Sequence, residues 1–175
     1  GRMEKIARPV PGDNPAYHGA YLLAAKGNDL AEALRHASEE EARTCKLIPD
    51  DRWEHRYAPG KWTIKEVFQH IIDTERVFSY RALCIARGEQ ANLPAMDEDA
   101  YQAMARTSTR RVEDLVRELA AVRLSTMELF DSFDAQALAC SGTANGKHVT
   151  VPALGFIIAG HSEHHLRIIR ERYLA

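Results

Sequence analysis

Ala159-Gly160-His161-Ser162-Glu163-His164-His165-Leu166-Arg167-Ile168-Ile169 lies inside an apolar-patterned segment that runs from Val149 to Tyr173. Three of the eight histidines of the chain are at positions 161, 164 and 165. An α-helix turns about 100° and rises about 1.5 Å per residue, so side chains four apart stack on one face. That spacing suits a metal. Leu154, Ile157, Ile158, Ile168 and Ile169 define an apolar stripe on such a helix. The centre of the stripe passes between His161 and His165, each within about 20° of it, and leaves His164 about 80° to one side. Two imidazoles directed into a buried face need partners, because an unsatisfied buried polar group costs about 1–3 kcal/mol. Their partner is either a metal ion or a set of hydrogen bonds.

Composition narrows the setting. At 175 residues and 19.7 kDa the chain suits a single domain over residues 16–175. Pro9, Pro11, Gly12 and Pro15 make residues 1–15 an extended lead-in. The apolar and charged fractions are those of a soluble globular protein, and no apolar run reaches the ~18 residues that a membrane span needs. Gly1-Arg2-Met3-Glu4-Lys5 has no apolar signal core, so a cytoplasmic protein is expected. Cys45, Cys84 and Cys140 are odd in number, far apart and without a Cys-x-x-Cys pair, which argues against a disulfide framework and a thiolate zinc site. A net charge of -2 with interspersed signs offers no footprint for nucleic acid or an anionic membrane. A small-molecule partner is expected instead.

Residues 16–25 suit a turn or two of helix. Asp29 to Lys46 then repeats Leu30, Ala33, Leu34, Ala37 and Ala42 at helical spacing. The next helix has a marked start: Thr63-Ile64-Lys65-Glu66 is a capping box, with Trp62 and Val67 as its hydrophobic staple. It runs to about Arg87, with Ile64, Val67, Phe68, Ile71, Phe78 and Ala82 on its main apolar face. His70, Thr74, Val77 and Arg81 form a line on its flank. Residues 88–107 lack strong periodicity apart from a helical turn at Asp97–Met104. A connection of this length is a binding loop or a crossover that lets the following helix run parallel to the last. Val112, Leu115, Val116, Leu119, Val122 and Phe130 predict a third helix from about Thr109 to Ser132. Asn145-Gly146 predicts a small hairpin, after which Thr150 caps the fourth helix with Pro152 in its first turn. The fold class is all-α, a four-helix bundle with long connections.

Three imidazoles drawn from two helices make a catalytic-type site, since structural zinc is usually closed by four protein ligands and three leave a position for water or substrate. His70, His161 and His165 are the candidates, with hydrogen-bonded structural histidines as the competing reading. His161-Ser162-Glu163-His164-His165 lacks the His-Glu-x-x-His order of zinc peptidases, and the bundle lacks the paired Glu-x-x-His motifs of di-iron proteins. Glu66 is expected as an N-cap partner, Asp73 as a solvated helix charge, and Glu163 with Arg167 as a surface ion pair. Orientation of His70 is the secondary reading of both Glu66 and Asp73. Arg76, Arg81 and Arg87 are expected to form a hydrated basic edge, with carboxylate recognition as the alternative.

Arg56-Tyr57-Ala58-Pro59-Gly60-Lys61-Trp62-Thr63-Ile64-Lys65-Glu66-Val67 leading to His70, together with Asp73-Thr74-Glu75-Arg76-Val77-Phe78 and Tyr80-Arg81-Ala82-Leu83, resembles the DinB/YfiT-like superfamily. The Ala159–Ile169 block matches the other half of that signature, and the resemblance extends from about Gly27 to Tyr173. It implies a bundle in up-down-down-up order, a homodimer, and one divalent metal, nickel or zinc, held by His70, His161 and His165. It also implies a reaction. Members include S-transferases that use bacillithiol or mycothiol, a mycothiol-dependent maleylpyruvate isomerase, and proteins designated hydrolases. Transfer of a low-molecular-weight thiol to an electrophile is the expected activity. The alternatives are hydrolysis of a small amide or ester and a non-enzymatic scaffold. Thiol transfer is preferred because no residue stands out in the sequence as the acid that amide hydrolysis requires.

Overall fold

Three of the four long helices begin where a side-chain oxygen caps them. In the computed structural model, which describes residues 2–175, Asp29, Thr63 and Thr150 accept hydrogen bonds from the amides of Glu32, Glu66 and Ala153 at 2.9, 3.0 and 3.2 Å. Each satisfies an amide at a helix start that has no carbonyl partner within the helix. At Thr63 the box closes, because the Glu66 carboxylate accepts from the Thr63 amide at 2.9 Å. In chain order the helices are α1 (Gly19–Ala24), α2 (Leu30–Leu47), α3 (Ile64–Ala86), α4 (Glu98–Ala105), α5 (Val112–Asp131), α6 (Ala135–Leu138) and α7 (Val151–Ile168). Beyond α7 a wider π turn spans Ile169–Tyr173.

The bundle consists of α2, α3, α5 and α7. α7 packs on α1, α2 and α3, and α3 packs on α5. Leu30 lies against Gly155 and Glu41 against Ser162, so α2 and α7 ascend together. Glu75 meets Arg123 and Ser79 meets Thr126, so α3 and α5 are parallel. His70 faces His161, while Tyr173, beyond α7, donates to the carbonyl of Trp62, before α3; these two therefore run in opposite directions. The order is up-down-down-up. A parallel α3–α5 pair obliges the chain to return along the bundle before starting α5, which is why residues 88–107 carry no helix of bundle length.

That return does more than cross over. It contributes the strand β1 (Asn92–Leu93), which pairs in parallel with β2 (Ser141–Ala144) of the predicted hairpin; β2 pairs antiparallel with β3 (Lys147–Thr150). Asn145 and Gly146, both at positive φ, form the turn. Residues 2–15, expected as an extended lead-in, include a 3₁₀ turn at Met3–Lys5 and are fastened to the bundle. Asp131 accepts from the Arg2 and Met3 amides, Leu30 donates to the Ile6 carbonyl, and Met3 and Ile6 are buried.

Two apolar clusters fill the interior, and α7 joins them. Phe130, Phe133, Leu154 and Phe156 belong to one; Phe68, Ile72, Leu115 and Leu166 belong to the other. A polar clamp ties all four bundle helices together. Buried Arg123 of α5 donates twice to Glu75 of α3, and to Glu41, the Leu34 carbonyl and Ser38 of α2, at 2.8–3.1 Å. Ser162 of α7 donates to the same Glu41 at 2.7 Å. All five guanidinium donors are thereby used. Removing one member of such a cluster typically costs about 3–5 kcal/mol, because buried charges are left without partners.

Candidate metal centre

His161 and His165 stand one turn apart on α7, between the two apolar clusters, and His70 meets them from α3. Their donor nitrogens all lie within 4.8 Å of one another, and the ring centroids are 4.5–4.8 Å apart. His161 Nε2 faces His70 Nε2 at 2.9 Å. His70 and His161 are buried and His165 is partly so. The flank of α3 that carries His70 is covered because α7 crosses it, so the residue is as enclosed as the main apolar face. The Thr74 hydroxyl lies 3.5 Å from His70 Nδ1, which leaves Nε2 as the nitrogen turned toward α7.

Burial holds all three imidazoles in the neutral form. It lowers His70 to about 4, lowers His165 to about 3 with help from His70 and His164, and puts His161 well below its ordinary value. Two neutral rings meeting nitrogen to nitrogen can share at most one proton between those atoms, so at least one lone pair is turned inward. Neutral imidazoles converging from rigid helices form a donor set that suits a divalent transition metal. Three such donors, where a structural site would close with four, fit a centre that also accepts a small molecule.

Two cavities reach the cluster from different sides. One, of about 220 Å³, is bordered by Tyr17, His18, Tyr21, Arg81, Met96 and Glu98 and opens on His70 and His161. The other, of about 270 Å³, is bordered by Tyr57, Lys61, Trp62 and Tyr173 and opens on His165. Rings pack around the histidines: Tyr21 stands edge-on to His161 with centroids 5.2 Å apart, and Trp62 lies 4.8 Å from His70. Glu98, capped into place by the start of α4, puts Oε2 3.6 Å from His70 Nε2. Partial burial, together with the neighbouring Asp99 and Asp97 charges, raises its carboxyl above the usual range.

Glu66 is the N-cap partner expected of it, held also by Arg56 at 3.2 Å. Asp73 is not fully solvated: it is half-buried and accepts from Gln69 at 2.9 Å. Neither approaches His70; Thr74 does. The expected Glu163–Arg167 surface pair is absent from the structure. Glu163 is buried and bonded to His36 Nδ1 at 2.6 Å, because α2 runs alongside α7 and covers that face. The basic edge is also corrected in part, since Arg76 pairs with Glu118 but Arg81 is buried. The cysteines are free, and burial pushes the Cys45 thiol up to about 12. Sequence reasoning missed His18, Tyr21 and Glu98. The spacing of His18 and Tyr21 by three residues, one helical face, was the available signal.

A four-helix bundle in this order, with three histidines converging from its second and fourth helices, defines a class of helical proteins with a metal-type centre. The chain belongs to the DinB superfamily, whose model matches residues 30–169. Among solved structures it is similar to YfiT from Bacillus subtilis, described as a probable metal-dependent hydrolase with an unusual four-helix bundle topology. The TM-score is 0.72 over 98% of this chain and 95% of that one, at 15% identity. At that identity the likeness establishes the fold. No curated protein matches the chain.

Proposed function

We propose that the chain is a metalloenzyme in which His70, His161 and His165 hold one divalent transition metal, nickel or zinc, and a small thiol is activated for transfer to an electrophile. The observation that carries this reading is the convergence of three neutral imidazoles, their donor atoms within 4.8 Å, at the meeting point of two cavities. When bound, the metal supplies Lewis acidity that lowers the pKa of a thiol or a water. The protein's own groups do the rest. Burial keeps the imidazoles unprotonated at neutral pH, Thr74 orients His70, and Tyr21 and Trp62 keep bulk water from the rings. Two cavities give two reactants separate approaches to one centre, and holding both there removes much of the entropy cost of a bimolecular step.

Hydrolysis of a small amide or ester is the second reading, and Glu98 favours it. Its carboxylate at 3.6 Å from His70 Nε2 is in position to take a proton from an attacking water and return it to a leaving group. The description of YfiT points the same way. The two readings separate in one assay, with metal-loaded protein, a model electrophile or ester, and a panel of cellular thiols. Thiol transfer requires consumption of the electrophile that depends on both metal and thiol, is lost in His161→Ala and changes little in Glu98→Gln. Ester turnover without thiol, falling about 10²-fold in Glu98→Gln and not accelerated by any thiol, would replace it with hydrolysis. Inactivity throughout would return the chain to the scaffold reading.

A further inference from the structure

Arg81 is a feature of the larger site that its neighbours do not explain. It is 5% exposed, and its Nε is buried without a hydrogen-bond partner. One Nη donates to the Pro94 carbonyl at 2.8 Å, and the guanidinium lies 4.8 Å from the Phe78 ring centroid. No carboxylate pairs with it among the described residues. Arg76, Arg110, Arg117 and Arg170 are all more exposed, and each has an acidic partner. Arg123, the other buried arginine, has two. A buried cation left without a counter-charge is costly, and structures supply one from a side chain or from a ligand.

The geometry points to a ligand. Arg81 borders the 220 Å³ cavity that opens on His70 and His161, and so does His18, 9% exposed, whose Nδ1 is also buried without a partner. Two unsatisfied buried nitrogens thus border one cavity, and the charge of Arg81 helps keep His18 neutral. Arg81 lies on the same helix as His70, about 16 Å further along the axis between Cα atoms, and its side chain leans back toward the N-terminus and the histidines. Glu98 borders the opposite end, beside His70. The cavity is therefore polarised, cationic at one end and acidic at the other. Its volume is below the ~300–1,000 Å³ of pockets for drug-sized ligands.

We propose that Arg81 and His18 form a carboxylate-binding end of this cavity, so that the reactant entering it is a small monocarboxylate whose reacting group lies several bonds away, at the three histidines. A carboxylate is the anion that fits, because a guanidinium presents a planar fork matched to two oxygens, whereas a dianion would meet the acidic end at close range. The inference rests on the histidine cluster being the reaction centre, and the test separates the two.

The full chain, stripped of metal with EDTA so that no ligand can bind through the ion, is titrated with pentanoate and with the neutral pentanamide, following the Arg81 Nε–Hε signal by NMR. The expected result is a saturable shift of that signal with pentanoate, none with pentanamide, and at least a tenfold weaker affinity in Arg81→Gln, partly restored in Arg81→Lys. Pentanoate binding that leaves the Arg81 signal unmoved, equal affinity for the amide, or no binding at all would overturn the proposal. The signal belongs to the wild-type protein, so the titration remains decisive even if a variant fails to fold. Protein that takes up metal but not pentanoate sinks this inference alone; protein that binds pentanoate in this way but never metal sinks the metal reading alone.

Discussion

One step along α7 separates an imidazole that joins a cluster of nitrogens from one that reaches the surface. His165 is grouped with His70 and His161, whereas His164 is half-buried, edge-on to Tyr21, with Nδ1 3.5 Å from the Arg167 guanidinium. Replacing His164 by alanine should leave about one equivalent of metal on untagged protein. The same change at His165 removes a proposed ligand and should weaken binding by at least tenfold, the lower end of what loss of even a supporting group costs. Metal analysis after dialysis checks both, and the reverse pattern would show that these two positions have exchanged roles. The distinction was legible in the sequence because the apolar stripe fixes the rotation of the helix. Glu163 was not legible, since its burial comes from α2, whose position beside α7 leaves no mark in the local pattern. Glu98 was hidden for the same reason, since it reaches His70 only across the α3–α4 junction; for Arg81 carboxylate recognition was the secondary reading, and its enclosure by the chain at Pro94 left no local mark.

At the scale of elements, α1 forms a wall of the site and a single glycine admits it. A Cβ at Gly160 would lie 1.6 Å from the Tyr21 carbonyl oxygen and 2.5 Å from its carbon. Those are backbone atoms, so a methyl group can be accommodated only by moving α1 off α7. Alanine in a helix ordinarily gains about 0.5–1 kcal/mol over glycine. Here overpacking should reverse the sign, and Gly160→Ala should lose about 1–3 kcal/mol in a urea titration. It should also loosen the cavity that α1 borders through Tyr21 and the turn before it borders through His18. Unchanged or increased stability would mean that α1 is not held as described. The long helices were readable from caps and periodicity, within a residue or two of the ends expected for α2 and α3. The third helix proved shorter, starting at Val112 and not Thr109, because Thr107–Thr109 form a separate 3₁₀ turn. The strand β1 was invisible: two residues have no period, and its partner is some fifty positions away in the hairpin.

At the scale of the whole molecule, four buried or partly buried imidazoles limit stability in acid. His18 and His70 are lowered to about 4, His165 to about 3 and His161 well below its ordinary value, in each case first by burial. The unfolded chain takes up protons near 6.5, and the native state does not until the pH is far lower. For these groups stability is therefore present above about 6.5 and is lost as the pH falls toward 4, by the order of 1–2 kcal/mol per imidazole at pH 5. Glu41 has the opposite sign. Burial, with Glu75 close by, raises its carboxyl, so its contribution is full below the ordinary carboxylate range and declines toward neutral pH. Four groups outweigh one, and chelator-treated protein should melt at progressively lower temperature from pH 7 to pH 5; a flat profile would contradict the buried neutral state of the cluster.

The central position of α7 has a consequence for how such a chain comes to be folded. α7 is the last of the four bundle helices to be synthesised, yet both apolar clusters and two of the three clustered histidines depend on it. The bonds that close the structure join residues far apart in the chain, His70 with His161 and Glu41 with Ser162. High sequence separation slows folding, because loop closure must precede the contacts that reward it. A nascent chain that has not reached residue 151 holds three helices whose two apolar clusters lack the α7 side chains, and one histidine of the cluster. Commitment to the fold and completion of the site should therefore arrive together, so that the metal would select only chains whose synthesis has passed through α7.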